Sequence, residues 1–199
     1  LLMTDLSGRV AIVTGAARGI GRASANVLAQ HGATVFLTDV REDEGNDAAD
    51  AICKVGGSAF FLRQDVTNEE QWNRVVERAV EVGGSLDVLV NNAGIGFAGP
   101  VEMQDEAASK LVFDTNLFGP QHAARAALPA MREKGSGLIV NISSILGRVI
   151  YPNLIGLYSP TKFALEAMSE AMAYEVAPFG VDVAIIQPAG YPTKIWDNV

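Results

Sequence analysis

The chain has 199 residues, 49% of them hydrophobic, and a formal net charge of −8 at pH 7. That is material for one sizeable core and a single domain over residues 1–199. The acidic balance argues against a nucleic-acid partner, which asks for basic patches, and no apolar run approaches the ~18 residues of a membrane span.

Val10–Thr14 is a short apolar run that ends in glycines, and residues 19–31 read as a helix. Thr34–Asp39 is β-branched and apolar, and a polar-faced helix follows over 42–55. That helix carries Cys53, the only cysteine, which is expected as a packed small side chain. A lone cysteine allows no intrachain disulfide and suits a reducing, cytoplasmic location. Residues 59–63 form the next strand. Over 68–82, Trp72, Val75, Val76, Ala79 and Val80 recur at helical spacing.

Residues 86–90 read as another buried strand, and a long helix over 107–131 is bent or interrupted at Gly119-Pro120. A strand over 138–142 precedes a helix from about Ser159, whose first turn tolerates Pro160. Pro178 and Gly180 close that helix, and Val181–Ile186 is the sixth strand. Short apolar strands alternating with amphipathic helices predict a doubly wound α/β domain: a parallel sheet in three layers, α/β/α.

The segment Thr14-Gly15-Ala16-Ala17-Arg18-Gly19-Ile20-Gly21 lies where the first strand turns into the first helix. Glycines there permit a tight turn, close approach of backbone to a pyrophosphate and close helix–strand packing, while the helix N-terminus offers N–H groups and a positive dipole end. Asp39 ends the second strand, 24 residues after Gly15. An acid at that place accepts hydrogen bonds from ribose hydroxyls and repels a 2′-phosphate, so NAD is favoured over NADP. Arg18 and Arg41 pull the other way, since each could meet a phosphate.

Tyr158 and Lys162 stand four residues apart, neighbours on one helix face. An ammonium beside a phenol favours the phenolate and lowers the tyrosine pKa from about 10 toward working pH. Ser143-Ser144, just upstream, supplies a hydroxyl to hold a carbonyl or alcohol oxygen while the tyrosine moves its proton. His31 and His122 are isolated, without metal-ligand spacing, and are expected on helix surfaces; no metal site is expected.

Together, the 14–21 segment, Asn91-Asn92-Ala93-Gly94, Asn116, Ser144 and Tyr158-x-x-x-Lys162 resemble the short-chain dehydrogenase/reductase family over nearly the whole chain. The resemblance implies a Rossmann fold and a nicotinamide-linked oxidoreductase acting on a secondary alcohol or ketone. It implies Tyr158 as acid–base, Lys162 on the nicotinamide ribose, Ser144 on the substrate oxygen, and Asn116 bending its helix and holding a relay water. It also assigns Gly15, Arg18, Gly19, Ile20, Gly21, Asp65, Val66, Asn91, Ala93, Gly94, Tyr158, Lys162, Pro188 and Thr193 to the cofactor, and it implies a homodimer or homotetramer. The plainer readings are Asp65 as a helix N-cap and Asn91-Asn92 as a strand-end turn.

Three departures stand out. Ser144 precedes Tyr158 by fourteen residues, one more than the family's usual interval, and the extra residue is expected in the loop 152–157. Ala189 and then Gly190 follow Pro188 where a glycine is usual, and Tyr191 stands where an aliphatic residue is common. The sequence ends at Val199, before the substrate loop, helix and final edge strand of the family; the expectation is that this remainder lies outside the sequence. The competing reading is a nucleotide-binding sensor or scaffold without turnover, against which the complete Ser, Tyr, Lys and Asn set argues. Leu146, Tyr151, Leu154 and Tyr191 suggest an apolar substrate pocket or plain packing, and Trp72 and Trp196 read as packing residues.

Overall fold

Six strands, β1 (Val10–Thr14), β2 (Thr34–Asp39), β3 (Ser58–Arg63), β4 (Val88–Asn91), β5 (Gly137–Ile142) and β6 (Val181–Ile186), form one sheet in the order β3-β2-β1-β4-β5-β6. All pairings are parallel, with Val13 opposite both Leu37 and Val90. The structure, a computed structural model, describes residues 5–96, 99–151 and 156–190. The helices are α1 (Gly19–Gln30), α2 (Glu42–Lys54), α3 (Glu69–Gly83), α4 (Glu106–Phe113), α5 (Gly119–Lys134) and α6 (Tyr158–Val176).

The central strands are apolar on both faces because helices cover both. Val13, Val35, Leu37 and Val140 pack with Ala25, Ala49 and Ile52 of α1 and α2. Their neighbours Ile12, Phe36, Leu89 and Ile139 pack on the opposite side with Trp72, Val75 and Met131 of α3 and α5. Strand residues alternate between faces, so consecutive apolar residues serve two cores. The sheet carries strand edges at β3 and β6, and Ile186 on β6 is 49% exposed.

At the amino ends of the strands, far along the sheet from the glycine turn, Asp87 ties β1 to the segment before β4. It accepts from the Val10 N–H (3.0 Å), Arg9 Nη1 (2.7 Å) and Ser85 Oγ (2.7 Å), and pairs with Lys134. Burial alone would raise its pKa, but Lys134, Arg9, the Val10 N–H and Ser85 prevail and hold it well below the usual carboxylate range.

Several expectations need correction. The helix expected over 107–131 is three pieces: α4, a π-turn over Asp114–Phe118, and α5 with Pro120 in its first turn. The interruption precedes Gly119-Pro120, because a proline near a helix start lacks only an N–H that has no helical partner anyway. Cys53 is exposed rather than packed. The inward face of α2 is made by Gly45, Ala48, Ala49 and Ile52, which turns Cys53 outward. His31 and His122 are half-buried, not on the surface. Asp65 is not the cap of α3: Asn68 is, accepting from the Gln71 N–H at 3.2 Å, while Asp65 folds onto Thr67. Leu154, Tyr191, Thr193, Trp196 and most of the loop carrying the extra residue lie outside the described residues.

Candidate active site

Chain order reverses between β1 and β4, and open α/β sheets bind ligands in the crevice beyond the carboxyl ends of the strands at such a point. A cleft of about 390 Å³ lies there. Gly15, Arg18, Gly19 and Ile20 form one wall, Asp39, Asp65 and Val66 another, and Asn92, Ala93 and Gly94 a third. Gly15 has φ 61°, and a Cβ on it would lie 2.8 Å from Ala93 Cα. A Cβ on Gly21 would lie 2.4 Å from the Gly15 carbonyl oxygen. Any side chain at either position would push the turn out of the strand–helix junction. No side chain caps α1 and no acid stands in its first turn, which suits an anionic ligand at its start.

The Asp39 carboxylate is aimed by two backbone N–H groups, from Ala17 and from Arg41, each at 3.1 Å. Arg41 also pairs with Glu44 at 3.3 Å. Gln64 donates its backbone N–H to the Asp39 carbonyl at 2.9 Å, and its side-chain amide, buried at the cleft, has no hydrogen-bond partner on either atom. Buried polar atoms are nearly always paired. A side-chain-free cradle, an aimed acid, an uncapped helix start and an orphaned amide fit a dinucleotide.

Asn91 lies off the cleft walls, buried in the sheet with Nδ2 donating to Asn141 Oδ1 at 2.8 Å. Its neighbour Asn92 is the wall residue. Asn92 Nδ2 donates to the carbonyls of Thr14 (2.8 Å) and Gly15 (3.1 Å), and its N–H donates to Thr14 Oγ1 (3.0 Å). These bonds fasten the glycine turn to the end of β4.

Tyr158 opens α6, and Lys162 follows one turn later, both buried. The Ser144 hydroxyl lies beside the Tyr158 phenol, near enough to favour its ionised form. Ser144 Oγ accepts from the Leu146 N–H at 3.1 Å, which caps the short turn Ile145–Gly147. The one-residue increase in spacing therefore does not separate the pair. Lys162 Nζ lies 5.7 Å from the centre of the Tyr158 ring and donates to the Ile142 carbonyl at 2.8 Å. The Pro188 carbonyl accepts from the Ile145 N–H at 3.0 Å, placing the end of β6 beside Ser144.

Asn116 sits in the π-turn, fully buried. Its Oδ1 accepts from the Ile95 N–H (2.9 Å), and its Nδ2 donates to the Ile95 carbonyl (2.9 Å) and to Thr161 Oγ1 (3.2 Å). The widened turn thus joins the segment after β4 to α6, as π-turns at functional sites often do. Gly94 connects the two halves of the site. It lines the cleft, and a Cβ on it would stand 3.2 Å from Asn116 Oδ1 and 3.8 Å from Lys162 Nζ.

One electrostatic expectation is corrected. Burial raises the Tyr158 pKa above its ordinary value, and the Ser144 hydroxyl opposes the rise; no lowering by Lys162 accompanies it. Lys162 is itself desolvated, which pushes its pKa down to about 8 against the opposing charge of Glu166. The dry setting that brings the two groups together overrides the simple ammonium–phenol argument. Sequence reasoning reaches neither Gln64 nor Glu166, and Asn92 enters it only within the Asn91-Asn92-Ala93-Gly94 segment. Glu166 repeats the four-residue spacing of Tyr158 and Lys162, and that was the available signal.

Among the described residues no group of three or more His, Cys, Asp or Glu side chains is arranged for a metal, and no helix is long and apolar enough to cross a membrane. A family model described as short chain dehydrogenase matches residues 9–199. A trans-4-hydroxycyclohexanecarboxylate dehydrogenase from Sinomonas cyclohexanicum is 39% identical over 193 residues, covering 94% of this chain and 74% of the relative. A short-chain dehydrogenase/reductase from Burkholderia phymatum, solved in complex with NAD, superposes with a TM-score of 0.92 at 31% identity, covering 96% of this chain and 69% of that one. A metagenomic short-chain oxidoreductase in complex with NADP gives a TM-score of 0.88 at 34% identity, covering 93% and 84%. The chain spans 66% to 78% of the lengths of the curated relatives set beside it.

Proposed function

This chain belongs to the short-chain dehydrogenase/reductase family, and we propose that it transfers a hydride between a nicotinamide cofactor and a secondary alcohol or ketone, with Tyr158 as the acid–base. The observation that carries the reading is the cluster of Ser144 beside Tyr158, Lys162 Nζ 5.7 Å from the Tyr158 ring one turn along α6, and Gly94 linking the cluster to the dinucleotide cleft. The chain as a whole is one nicotinamide-binding domain.

The nicotinamide, when bound, supplies or accepts the hydride. This chain's residues do the rest. The glycine turn and the start of α1 hold the pyrophosphate, Asp39 the adenosine ribose, and Asp65 with Val66 the adenine. Lys162 holds the nicotinamide ribose, while Ala93 and Gly94 form the wall between. Asn91 serves the cofactor indirectly, through the sheet it stiffens, and Pro188 and Thr193 serve the nicotinamide end. Ser144 donates its hydroxyl proton to the substrate oxygen when substrate is bound. In reduction the neutral Tyr158 phenol gives that oxygen its proton; in oxidation Tyr158 takes the proton, and the nearby ammonium favours its ionised form. Asn116 holds the water through which Lys162 exchanges protons with solvent.

The aimed Asp39 carboxylate supports NAD over NADP, since a 2′-phosphate would meet like charge. The protein works in the cytoplasm as a homodimer or homotetramer. Following NADH oxidation by its absorbance, with a panel of cyclic and linear ketones, tests the reading. Turnover of at least one ketone that is lost when Ser144 is replaced supports it, and NADH binding without turnover of any carbonyl or alcohol contradicts it.

A further inference from the structure

The inward stripe of α6 holds the end of β5 residue by residue. Ser169 Oγ accepts from Asn141 Nδ2 at 2.7 Å, and Lys162 Nζ donates to the Ile142 carbonyl at 2.8 Å. Glu166 Oε1 accepts from Ser143 Oγ at 2.8 Å, and Tyr158 lies beside Ser144. Tyr158, Lys162 and Glu166 are spaced by four, so they share one helix face.

Glu166 is 3% exposed. A carboxylate so placed is tolerated only when its oxygens are occupied. Gln187 Nε2 donates to both oxygens at 2.8 Å, and Arg148 Nε approaches Oε2 at 2.5 Å. Arg148, half exposed, also meets Glu170 at 3.0 Å. Glu166 therefore fastens three segments to α6: the end of β5 beside Ser144, the turn after it, and the end of β6 beside Pro188. For stability alone a buried ion is a weak device, because apolar residues of the same volume often do as well. Its distinguishing property is a negative charge one helical turn from a buried ammonium.

We propose that Glu166 is a positioning residue, the buried counter-charge that keeps the Lys162 ammonium in place beside Tyr158 while its bond to Ser143 sets Ser144 against the phenol. The proposal rests on the assignment of Tyr158 and Lys162 to the reaction. Burial pulls the Lys162 proton affinity down and Glu166 opposes the fall. Among the described residues, the titratable and charged groups around this pair are Tyr158 and Glu170 on α6 and Arg148 from the turn after β5. Elsewhere the partners are neutral: the Ile142 carbonyl, Ser143, Gln187, and the Asn116 amide across Gly94.

Two variants should act with opposite sign. Glu166→Gln keeps the shape but removes the counter-charge, and Arg148→Met removes the cation that partly neutralises Glu166. The Lys162 titration is followed by NMR on lysine-labelled protein without cofactor, its resonance identified by its loss in Lys162→Met. In Glu166→Gln the midpoint should fall by about one pH unit, a tenfold change in proton affinity, and in Arg148→Met it should rise. The alkaline limb of the kcat profile should move with the midpoint in each. Midpoints within about 0.2 pH unit of the parent in both variants, or midpoints that move while the kcat profile stays, overturn the proposal. If Glu166→Gln does not fold, Arg148→Met, changed at an exposed side chain, decides by itself. Full turnover in Tyr158→Phe overturns the assigned reaction and leaves the titration to be judged separately. An inactive Tyr158→Phe with unmoved titrations overturns only the role of Glu166.

Discussion

The Ser144 hydroxyl stands beside the Tyr158 phenol although fifteen residues, 143–157, lie between the end of β5 and the start of α6. The pair is set by its supports rather than by the loop. Ser144 caps the turn Ile145–Gly147, and Tyr158 begins α6. An extra loop residue costs little closure entropy, so the spacing departs from the family while the contact persists.

Replacing Ser144 with alanine should lower kcat by about 10²-fold, the usual effect of removing one donor to a reacting oxygen. Cofactor affinity should stay unchanged, because Ser144 does not line the cleft. Steady-state kinetics with a parallel cofactor titration would show it; a loss of only about twofold would remove Ser144 from the reaction.

Asp39→Ser should weaken NAD binding by roughly tenfold, in line with losing a charge-assisted hydrogen bond. It should also improve the ratio of NADP to NAD affinity, since the like-charge repulsion is gone. Calorimetric titration with both nucleotides checks the pair of outcomes. An unchanged ratio would mean that Asp39 does not face the ribose.

Gln64→Leu separates binding from stability. Removing an amide with no partner on either atom should leave stability unchanged or raise it by up to ~1 kcal/mol, whereas cofactor affinity should fall several-fold. Thermal unfolding and a nucleotide titration on the same sample would measure both. Unchanged affinity would mean that the orphaned amide does not serve the cofactor.

Asp87→Asn should destabilise the protein by about 2 kcal/mol at neutral pH, because Lys134 and Arg9 lose their anion. The folded-state pKa of Asp87 lies below its unfolded value. Its contribution is therefore complete above the unfolded carboxylate value of about 3.9 and is lost as pH falls from there toward the folded pKa. Urea unfolding of parent and variant should give curves that converge in acid. A gap that persists unchanged into strong acid would contradict the assignment.

The sheet was legible because strand and helix periods differ and each central strand is apolar on both faces, as in Ile12 and Val13. The glycine turn and the Tyr158–Lys162 spacing were legible because backbone approach and helical geometry restrict residue type. The balance between burial and charge was not. The sequence places an ammonium beside a phenol, but only the packed structure shows both desolvated and Tyr158 raised. The bend at Asn116 came from the family resemblance alone, since the i→i+5 bond of its π-turn leaves no pattern in residue type. The outward setting of Cys53 was not legible, because α2 takes its inward face from small residues, which gives only a weak apolar stripe.

The most direct measurement is the comparison of the parent protein with Tyr158→Phe. NADH-linked turnover and NADH binding are determined on the same preparations. The variant should lose about 10³-fold or more in kcat, as expected when a general acid–base is removed. It should bind NADH as the parent does, because the glycine turn, the start of α1 and Asp39, which line the cleft, are unchanged. Turnover in Tyr158→Phe equal to that of the parent would contradict the account.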